Sequence, residues 1–201
     1  REMRREFPEH TELTGPTTPV GEGQTGSTLA LEDPNPTCDH YRVVNDLLVI
    51  ALDTSVPGEA SGDLRPSQFV WLRGVLDAHP EHPVLLLMHH PPFATGVGHM
   101  DAQGLAPAAA AKLERIVRAH KRVERVSCGH LHRAISRRWG GTIAATVPSV
   151  AHAVTYDIRA RAKGSWNYEP PAITVHQWDG SVLVTHQIAT GDFPSQRYGK
   201  N

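Results

Sequence analysis

Three short apolar runs in the chain alternate with two stretches of helical spacing. The runs cover residues 47–52, 83–88 and 123–128, as in strands that are buried on both faces of a sheet. Residues 66–79 and 106–120 carry apolar side chains three and four positions apart, which predicts helices. The order strand, helix, strand, helix, strand predicts an α/β fold with a parallel sheet and right-handed crossovers.

The second half of the chain has a different pattern. Short alternating segments predict strands, and Asp179-Gly180 predicts a two-residue hairpin turn between the last two of them. We therefore expect antiparallel β-structure after the parallel units. Residues 1–39, rich in Gly, Pro and Thr, are expected to be irregular, and residues 194–201 form a tail. The predicted antiparallel strands cover residues 134–139, 142–147, 152–158, 172–178 and 181–188.

Composition excludes several classes of partner. The 20 Lys and Arg balance the 21 Asp and Glu, so no overall charge favours a nucleic-acid polymer or an anionic membrane. No apolar run approaches the length of a membrane span. With 2 cysteines and no signal-peptide pattern, a reduced cytoplasmic setting is the simpler expectation, although the chain does not begin with Met. The 13 histidines are the unusual feature, since they offer many candidate metal ligands.

Polar residues directly follow each of the three predicted parallel strands. Because ligands bind beyond the carboxyl ends of such strands, these residues should lie side by side. Paired imidazoles suit Zn, Mn, Fe or Co, and an extended His-x-His would aim both rings to one side. Hydrogen-bonded loops are the alternative for each motif, and Asp53 could equally cap a turn. The three segments are Asp53-Thr54-Ser55, His89-His90-Pro91-Pro92 and Gly129-His130-Leu131-His132.

The two histidine motifs in this order resemble those of the calcineurin-like metallophosphoesterases. The resemblance is strongest to the bacterial class III cyclic-nucleotide phosphodiesterases and their glycerophosphodiesterase relatives. Flanking segments such as Leu52-Asp53-Thr54 and Pro148-Ser149 also fit, and the resemblance extends over roughly residues 40–193. The motifs are Met88-His89-His90-Pro91-Pro92-Phe93 and Cys128-Gly129-His130-Leu131-His132-Arg133.

The resemblance implies an αββα sandwich and two divalent or trivalent metal ions (Fe, Mn, Zn or Co) that share a bridging Asp and a hydroxide. It implies that His89 and His130 bind one metal ion and that His132 binds the other. His90 would support these ligands or face the substrate. Asp53, His99 and His152 are candidates for the same supporting or substrate-facing roles, and no side chain is assigned as a covalent nucleophile.

The chain also departs from this family. Its first three metal motifs (Asp-x-His, Gly-Asp and Gly-Asn-His-Asp/Glu) have no counterpart in a matching context, and the strands that carry them are missing from the implied sandwich. We therefore expect a C-terminal part of a metallophosphoesterase domain that is inactive by itself.

The implied activity is hydrolysis of a small phosphodiester, with cyclic AMP as the first candidate. The alternatives are an inactive truncated remnant with a binding or regulatory role, and an enzyme for glycerophosphodiesters or other small phosphoesters. A homodimer is compatible with the sequence, which leaves the oligomeric state, the metal and the substrate open.

Overall fold

A computed structural model describes residues 37–199. Most of the predicted irregular segment 1–39 and the end of the predicted tail 194–201 lie outside these residues. The elements are β1 (His40–Val44), β2 (Leu47–Leu52), α1 (Pro66–Ala78), β3 (Val84–Met88), α2 (Gly98–Asp101), α3 (Pro107–Ala119), β4 (Val123–Cys128), β5 (Ile135–Trp139), β6 (Thr142–Thr146), β7 (Ala153–Val154), β8 (Trp166–Asn167), β9 (Ala172–Trp178) and β10 (Leu183–Ala189).

The α/β prediction is confirmed by a six-stranded sheet of order β1-β2-β3-β4-β6-β5. Strands β2, β3 and β4 are parallel neighbours, and α1 and α3 form the crossovers between them. One face of these strands is buried against α1 and α3, where Leu48, Ile50 and Val126 are fully buried. On the other face Val49 and Ala51 are only half-buried, so the prediction of strands buried on both faces holds in full for one face only. Both helices begin with proline, whose fixed φ suits the first helical turn. The parallel core therefore follows directly from the sequence pattern.

The prediction of antiparallel structure in the second half is confirmed for three pairs of strands, β5 with β6, β7 with β8 and β9 with β10, with one exception. Strand β6 runs parallel to β4 and extends the main sheet, and only β5 lies antiparallel at its edge. Ala144 and Ala145 point to opposite faces of the sheet and are both buried, as expected for a strand inside the sheet between β4 and β5. The strand predicted over residues 152–158 is reduced to the two residues of β7, which pair with the unpredicted β8.

Strand β1 was also missed by the sequence analysis. It forms a hairpin with β2, and the turn residues Asn45 and Asp46 have positive φ angles of 45° and 66°. Asn and Asp tolerate this left-handed conformation, which two-residue hairpin turns require. The Asn45-Asp46 pair was therefore a usable hairpin signal in the sequence.

The predicted hairpin of β9 and β10 is confirmed, but its turn lies one residue later than expected. Asp179 precedes the central residues Gly180 and Ser181, and its carboxylate accepts hydrogen bonds from the backbone N–H groups of Ser181 and Val182. Gly180 has the positive φ, 95°. The hairpin forms a separate two-stranded sheet. No helix within residues 37–199 is long and apolar enough to cross a membrane.

Candidate metal centre

The carboxyl ends of β2, β3 and β4 bring the predicted segments to one edge of the sheet. Asp53 and Thr54 follow β2, His89 and His90 follow β3, and Gly129 begins the loop after β4. Parallel pairing of Leu52 with Met88 and of Met88 with Cys128 aligns these strand ends. The three loops therefore meet as the sequence predicted, on a rigid scaffold.

Three imidazoles converge at this edge, and we call His89, His90 and His130 the inner cluster. Their candidate ligand atoms all lie within 4.8 Å of one another. The closest contact joins Nδ1 of His130 to Nε2 of His89 at 3.2 Å. The ring centroids of His130 lie 5.1 Å from His89 and 4.8 Å from His90. Such spacing could place several nitrogen donors around one small cation.

His90 is the buried member of the inner cluster, with 5% of its surface exposed. Its Nε2 lies 3.2 Å from the carbonyl oxygen of Ala60, which can only accept, so Nε2–H is the donor. In the neutral ring Nδ1 then accepts from the Thr54 hydroxyl at 2.8 Å. Both nitrogens of His90 are thus already engaged. This arrangement favours a supporting role for His90 over direct metal ligation.

Gly62 makes the position of His90 possible. A Cβ atom at Gly62 would lie 2.3 Å from Nδ1 of His90, far inside van der Waals contact. The Gly62 backbone is itself fixed, because its N–H donates to Gly104 and its carbonyl accepts from Ala106. The His90 ring is therefore packed directly against a backbone segment that cannot easily move away.

His130 presents the clearest unmet bonding capacity. Its Nε2 atom is buried and has no hydrogen-bond partner of good geometry within residues 37–199. Burial, followed by the charges of His90, His89 and His132, lowers the pKa of His130 to about 4, with the Gln103 backbone acting in the opposite direction. Burial also lowers the pKa of His89. These rings are therefore neutral near pH 7, which is the state that binds metals.

The His130-Leu131-His132 segment is not extended, so the reason given for its two rings facing one side is wrong. His130 and His132 have positive φ angles of 72° and 54°. Non-glycine residues in this region store of order 1–3 kcal/mol of strain, which surrounding structure must offset. Here Leu131 is fully buried in a second apolar cluster with Val97, Met100 and Val154. Its burial holds the unusual backbone in place and directs the two histidines differently.

Gly129 allows the close approach of this loop to the inner cluster. A Cβ atom there would lie 3.1 Å from Nδ1 of His89. The Gly129 N–H also donates to the carbonyl of His89 at 3.0 Å. The backbone at Gly129 therefore lies directly against the His89 ring.

His132 faces His152 instead of the inner cluster, and we call His132 and His152 the outer pair. Nδ1 of His132 donates to the carbonyl oxygen of His152 at 3.0 Å, and the two rings lie 4.6 Å apart. This bond fixes the tautomer with the proton on Nδ1. The lone pair of Nε2 of His132 is then available to bind a metal ion. His132 nonetheless lines the same open cavity as His89 and His130, with a volume of about 550 Å³.

Asp53 lies in a turn. Its carboxylate accepts from the backbone N–H groups of Ser55 at 2.9 Å and Cys38 at 3.2 Å. These bonds, with Arg65 nearby, lower the pKa of Asp53 although burial opposes them. Turn capping, one of the two alternatives for Asp53, is thus what the structure displays. The charge of Asp53 also acts on His90, whose pKa it raises against the larger effect of burial.

His99 lies on α2, away from both histidine groups. Its ring packs against Gly164, where an added Cβ atom would lie 2.9 Å from Cδ2. The preceding turn is held by Asp101, whose carboxylate accepts from Thr95 at 2.7 Å and from Gly96 at 2.9 Å. Residues 93–105 are therefore ordered by hydrogen bonds within the segment. The role of His99 next to the substrate stays a prediction.

The sequence analysis missed three residues around the site. Asp39 accepts from the backbone of Asp53 at 2.8 Å and from Gln68 at 2.9 Å, which ties β1, β2 and α1 together. Thr54 was treated only as part of a turn. His176 of β9 lines the cavity shared by His89 and His130. Only alternation along β9 could have suggested an inward His176, and no local signal identifies Asp39.

The described residues fit part of a metal site. Imidazole donors suit Zn, Mn, Fe or Co, and the buried unpaired Nε2 of His130 is where a ligand atom would be expected. Within residues 37–199 no carboxylate belongs to the cluster of candidate ligand atoms. The assignment of His89, His130 and His132 as metal ligands stays a prediction, supported by this geometry.

Comparison with known proteins identifies the relatives of the chain. No family model matches it. A probable glycerophosphodiester phosphodiesterase of Arcobacter nitrofigilis is 35% identical over 72% of this chain and 53% of its own length. A probable cyclic nucleotide phosphodiesterase of Rhodopseudomonas palustris is 34% identical over 70% of this chain and 52% of its own. The cyclic AMP phosphodiesterase of Escherichia coli K12 is 32% identical over 50% of this chain and 36% of its own.

Among solved structures, the purple acid phosphatase PPD1 from yellow lupin seeds aligns over 75% of this chain and 32% of its own, with a TM-score of 0.48 and 13% identity. We infer nothing from that likeness.

The sequence matches and the histidine motifs define the class: the chain is related to the calcineurin-like metallophosphoesterases. Within this class its relatives are the bacterial phosphodiesterases of glycerophosphodiesters and cyclic nucleotides. The resemblance stated from the motifs is thus confirmed. The chain spans about half the length of the first of these relatives.

Proposed function

We propose that this chain contributes the histidine ligands of a metal-dependent phosphodiester hydrolase, with cyclic nucleotides as the first candidate substrates. The observation that carries the proposal is that the rings of His89 and His130 converge while Nε2 of His130 is buried without a hydrogen-bond partner among the described residues. The supporting comparison is the similarity to phosphodiesterases over half or more of the chain. We expect the remaining ligands, including carboxylates, to come from outside the described residues.

Each described residue has a distinct task in this proposal. His89, His130 and His132 would hold the metal ions, which supply Lewis acidity and an acidified water for attack on phosphorus. His90, hydrogen-bonded to Thr54 and Ala60, would keep the edge of the site rigid and close one side of the space around His89 and His130. The His152 carbonyl would keep Nε2 of His132 unprotonated and directed outward.

The test is hydrolysis of bis(p-nitrophenyl) phosphate and of cyclic AMP after loading with Mn or Fe. The chain would be assayed alone and joined to the part of the Arcobacter relative that it does not match. We expect little turnover alone, metal-dependent turnover when joined, and loss of that turnover with EDTA. Turnover of the joined protein that survives complete metal removal would contradict the proposal.

Glycerophosphodiesters are the second candidate substrates. The observation in their favour is that the Arcobacter relative, named as a probable glycerophosphodiester phosphodiesterase, matches 146 residues of the chain. Glycerophosphocholine, assayed beside cyclic AMP in the same joined protein, distinguishes the two. A kcat/KM for glycerophosphocholine above that for cyclic AMP would move the assignment to this second class.

A further inference from the structure

A row of four rings leads from the predicted metal ligand His132 outward to solvent. The ring centroids of His132 and His152 lie 4.6 Å apart, those of His152 and Trp166 5.5 Å, and those of Trp166 and Tyr168 5.2 Å. These spacings are typical of interacting aromatic pairs. The inner end of the row is at the candidate metal centre, and the outer end is open.

The outer two rings, Trp166 and Tyr168, form what we call the aromatic platform. Trp166 is 58% exposed and Tyr168 is 81% exposed. Large apolar side chains clustered on a surface next to a site commonly mark the place where a ligand binds. Their exposure leaves ring surface available to another planar group.

The aromatic platform is mounted on ordered backbone. Trp166 in β8 pairs with Val154 in β7, and the N–H of Thr155 donates to the carbonyl of Ser165 at 2.9 Å. Val154 is buried against Leu131, so β7 is anchored beneath the loop that carries His132. The distance between the metal centre and the aromatic platform is therefore set by packed structure.

Polar groups lie next to the inner rings. A cavity of about 270 Å³ opens beside His132 and His152. Its walls include the hydroxyl-bearing Ser149 and the amide-bearing Gln187. Groups of this kind can meet the hydrogen-bonding edge of a heterocycle whose face is stacked on an aromatic ring.

We propose that the aromatic platform binds the nucleobase of a cyclic nucleotide whose phosphate lies at His132. The inference rests on the proposed phosphodiesterase function and narrows its substrate class to nucleotides. A planar base gains stacking on Trp166, whereas a glycerol group has no π-face and gains none. A choline group would contact the ring only as a cation, through a cation–π interaction, so the comparison below varies the base alone. Stacking of one base on an aromatic side chain changes affinity by roughly ten- to a hundredfold.

The experiment compares cyclic AMP with ribose 3′,5′-cyclic phosphate, which has the same phosphodiester ring and no base. Both ligands would be titrated into the chain in buffer that contains Mn, and the binding constants would be measured by calorimetry. We expect cyclic AMP to bind roughly ten- to a hundredfold more tightly, and we expect Trp166→Ala to abolish that difference. Equal binding of the two ligands, or no binding of either, would overturn the inference.

Two further variants keep the result specific. Tyr168→Ala removes the outermost ring and is expected to reduce the preference for cyclic AMP by a smaller factor. Tyr198→Ala removes a fully exposed tyrosine of the C-terminal tail and should leave the preference unchanged. A preference for cyclic AMP that persists in Trp166→Ala would also overturn the inference.

The results distinguish a failure of the base-binding proposal from a failure of the proposed hydrolase function. Turnover of the joined protein without a base preference would leave the hydrolase proposal intact and remove the aromatic platform as a base site. A base preference that depends on Trp166 without any turnover of the joined protein would leave nucleotide binding intact and remove the hydrolase proposal.

Discussion

The inner cluster and the outer pair share one sheet edge, but their surroundings differ. In the inner cluster, burial and mutual proximity lower the pKa of all three imidazoles. In the outer pair, a backbone carbonyl orients His132, and the neighbouring rings lead out to exposed Trp166. The contrast teaches that crowding of several imidazoles around buried His90 supplies neutral ligand atoms, whereas rings that lead out to solvent can select what is bound.

The largest expected effect is on catalysis, through the inner cluster. His130→Ala in the joined, metal-loaded protein should reduce the rate of diester hydrolysis by orders of magnitude, because a direct metal ligand is lost. The rate of bis(p-nitrophenyl) phosphate hydrolysis provides the measurement. His186→Ala, which removes an exposed histidine of β10, is the matched control. Unchanged turnover in His130→Ala would refute the assignment of His130.

The next effect concerns the packing that keeps the inner cluster rigid. Gly62→Ala would force a methyl group to 2.3 Å from Nδ1 of His90, so we expect a loss of about 1–3 kcal/mol in unfolding free energy. Gly74→Ala, in α1, meets nothing within 4 Å and should stabilise by about 0.5–1 kcal/mol. Urea denaturation measures both. Equal responses at the two positions would contradict the tight contact at His90.

A smaller loss of unfolding free energy is expected from changing Arg133, which follows His132 of the outer pair in the chain. Arg133 donates to the Val154 carbonyl at 2.9 Å and forms an ion pair with Glu169, with 17% of its side chain exposed. Arg133→Ala should cost about 1–2 kcal/mol in unfolding free energy, because a charged donor with two partners is removed. Arg159→Ala, which removes an exposed ion pair with Asp157, is the control and should leave stability almost unchanged. Similar thermal midpoints for the two variants would show that Arg133 does not anchor β7.

The last prediction concerns the pH dependence of the unfolding free energy of the metal-free protein. His130 has a folded pKa of about 4 against an ordinary value of 6.5, so the unfolded chain binds more protons between these pH values. Stability from this residue is therefore complete above pH 6.5 and falls as the pH decreases towards about 4. Urea midpoints in EDTA at several pH values should fall less steeply for His130→Gln than for the wild type. Parallel curves for the two proteins would count against the buried, neutral state of His130.

Sequence pattern was sufficient for the parallel half of the fold because its strands are continuous apolar runs, such as β2, separated by helices of clear periodicity. It was insufficient for β6, whose alternating pattern is equally compatible with a parallel or an antiparallel neighbour. Strands β7 and β8 contain two residues each and leave no periodic signal.

The site was predictable to the extent that ligands follow strand ends. His89, His90 and His130 do meet at one edge, as the strand order required. The divergence of His132 towards His152 was not predictable, because it depends on left-handed backbone at His130 and His132 stabilised by the burial of Leu131. The same tertiary packing places Trp166 beside His152, which no spacing in the sequence reveals.

Metal retention by the joined protein, in which the remaining ligands are expected to be present, tests the central claim most directly. The wild type, His130→Ala and His186→Ala would be dialysed against Mn or Zn and then against metal-free buffer, and the bound metal would be measured by mass spectrometry. The account predicts that the wild type and His186→Ala retain metal and that His130→Ala loses it. Equal metal content in all three proteins, or none in the wild type, would contradict a metal centre built on the inner cluster.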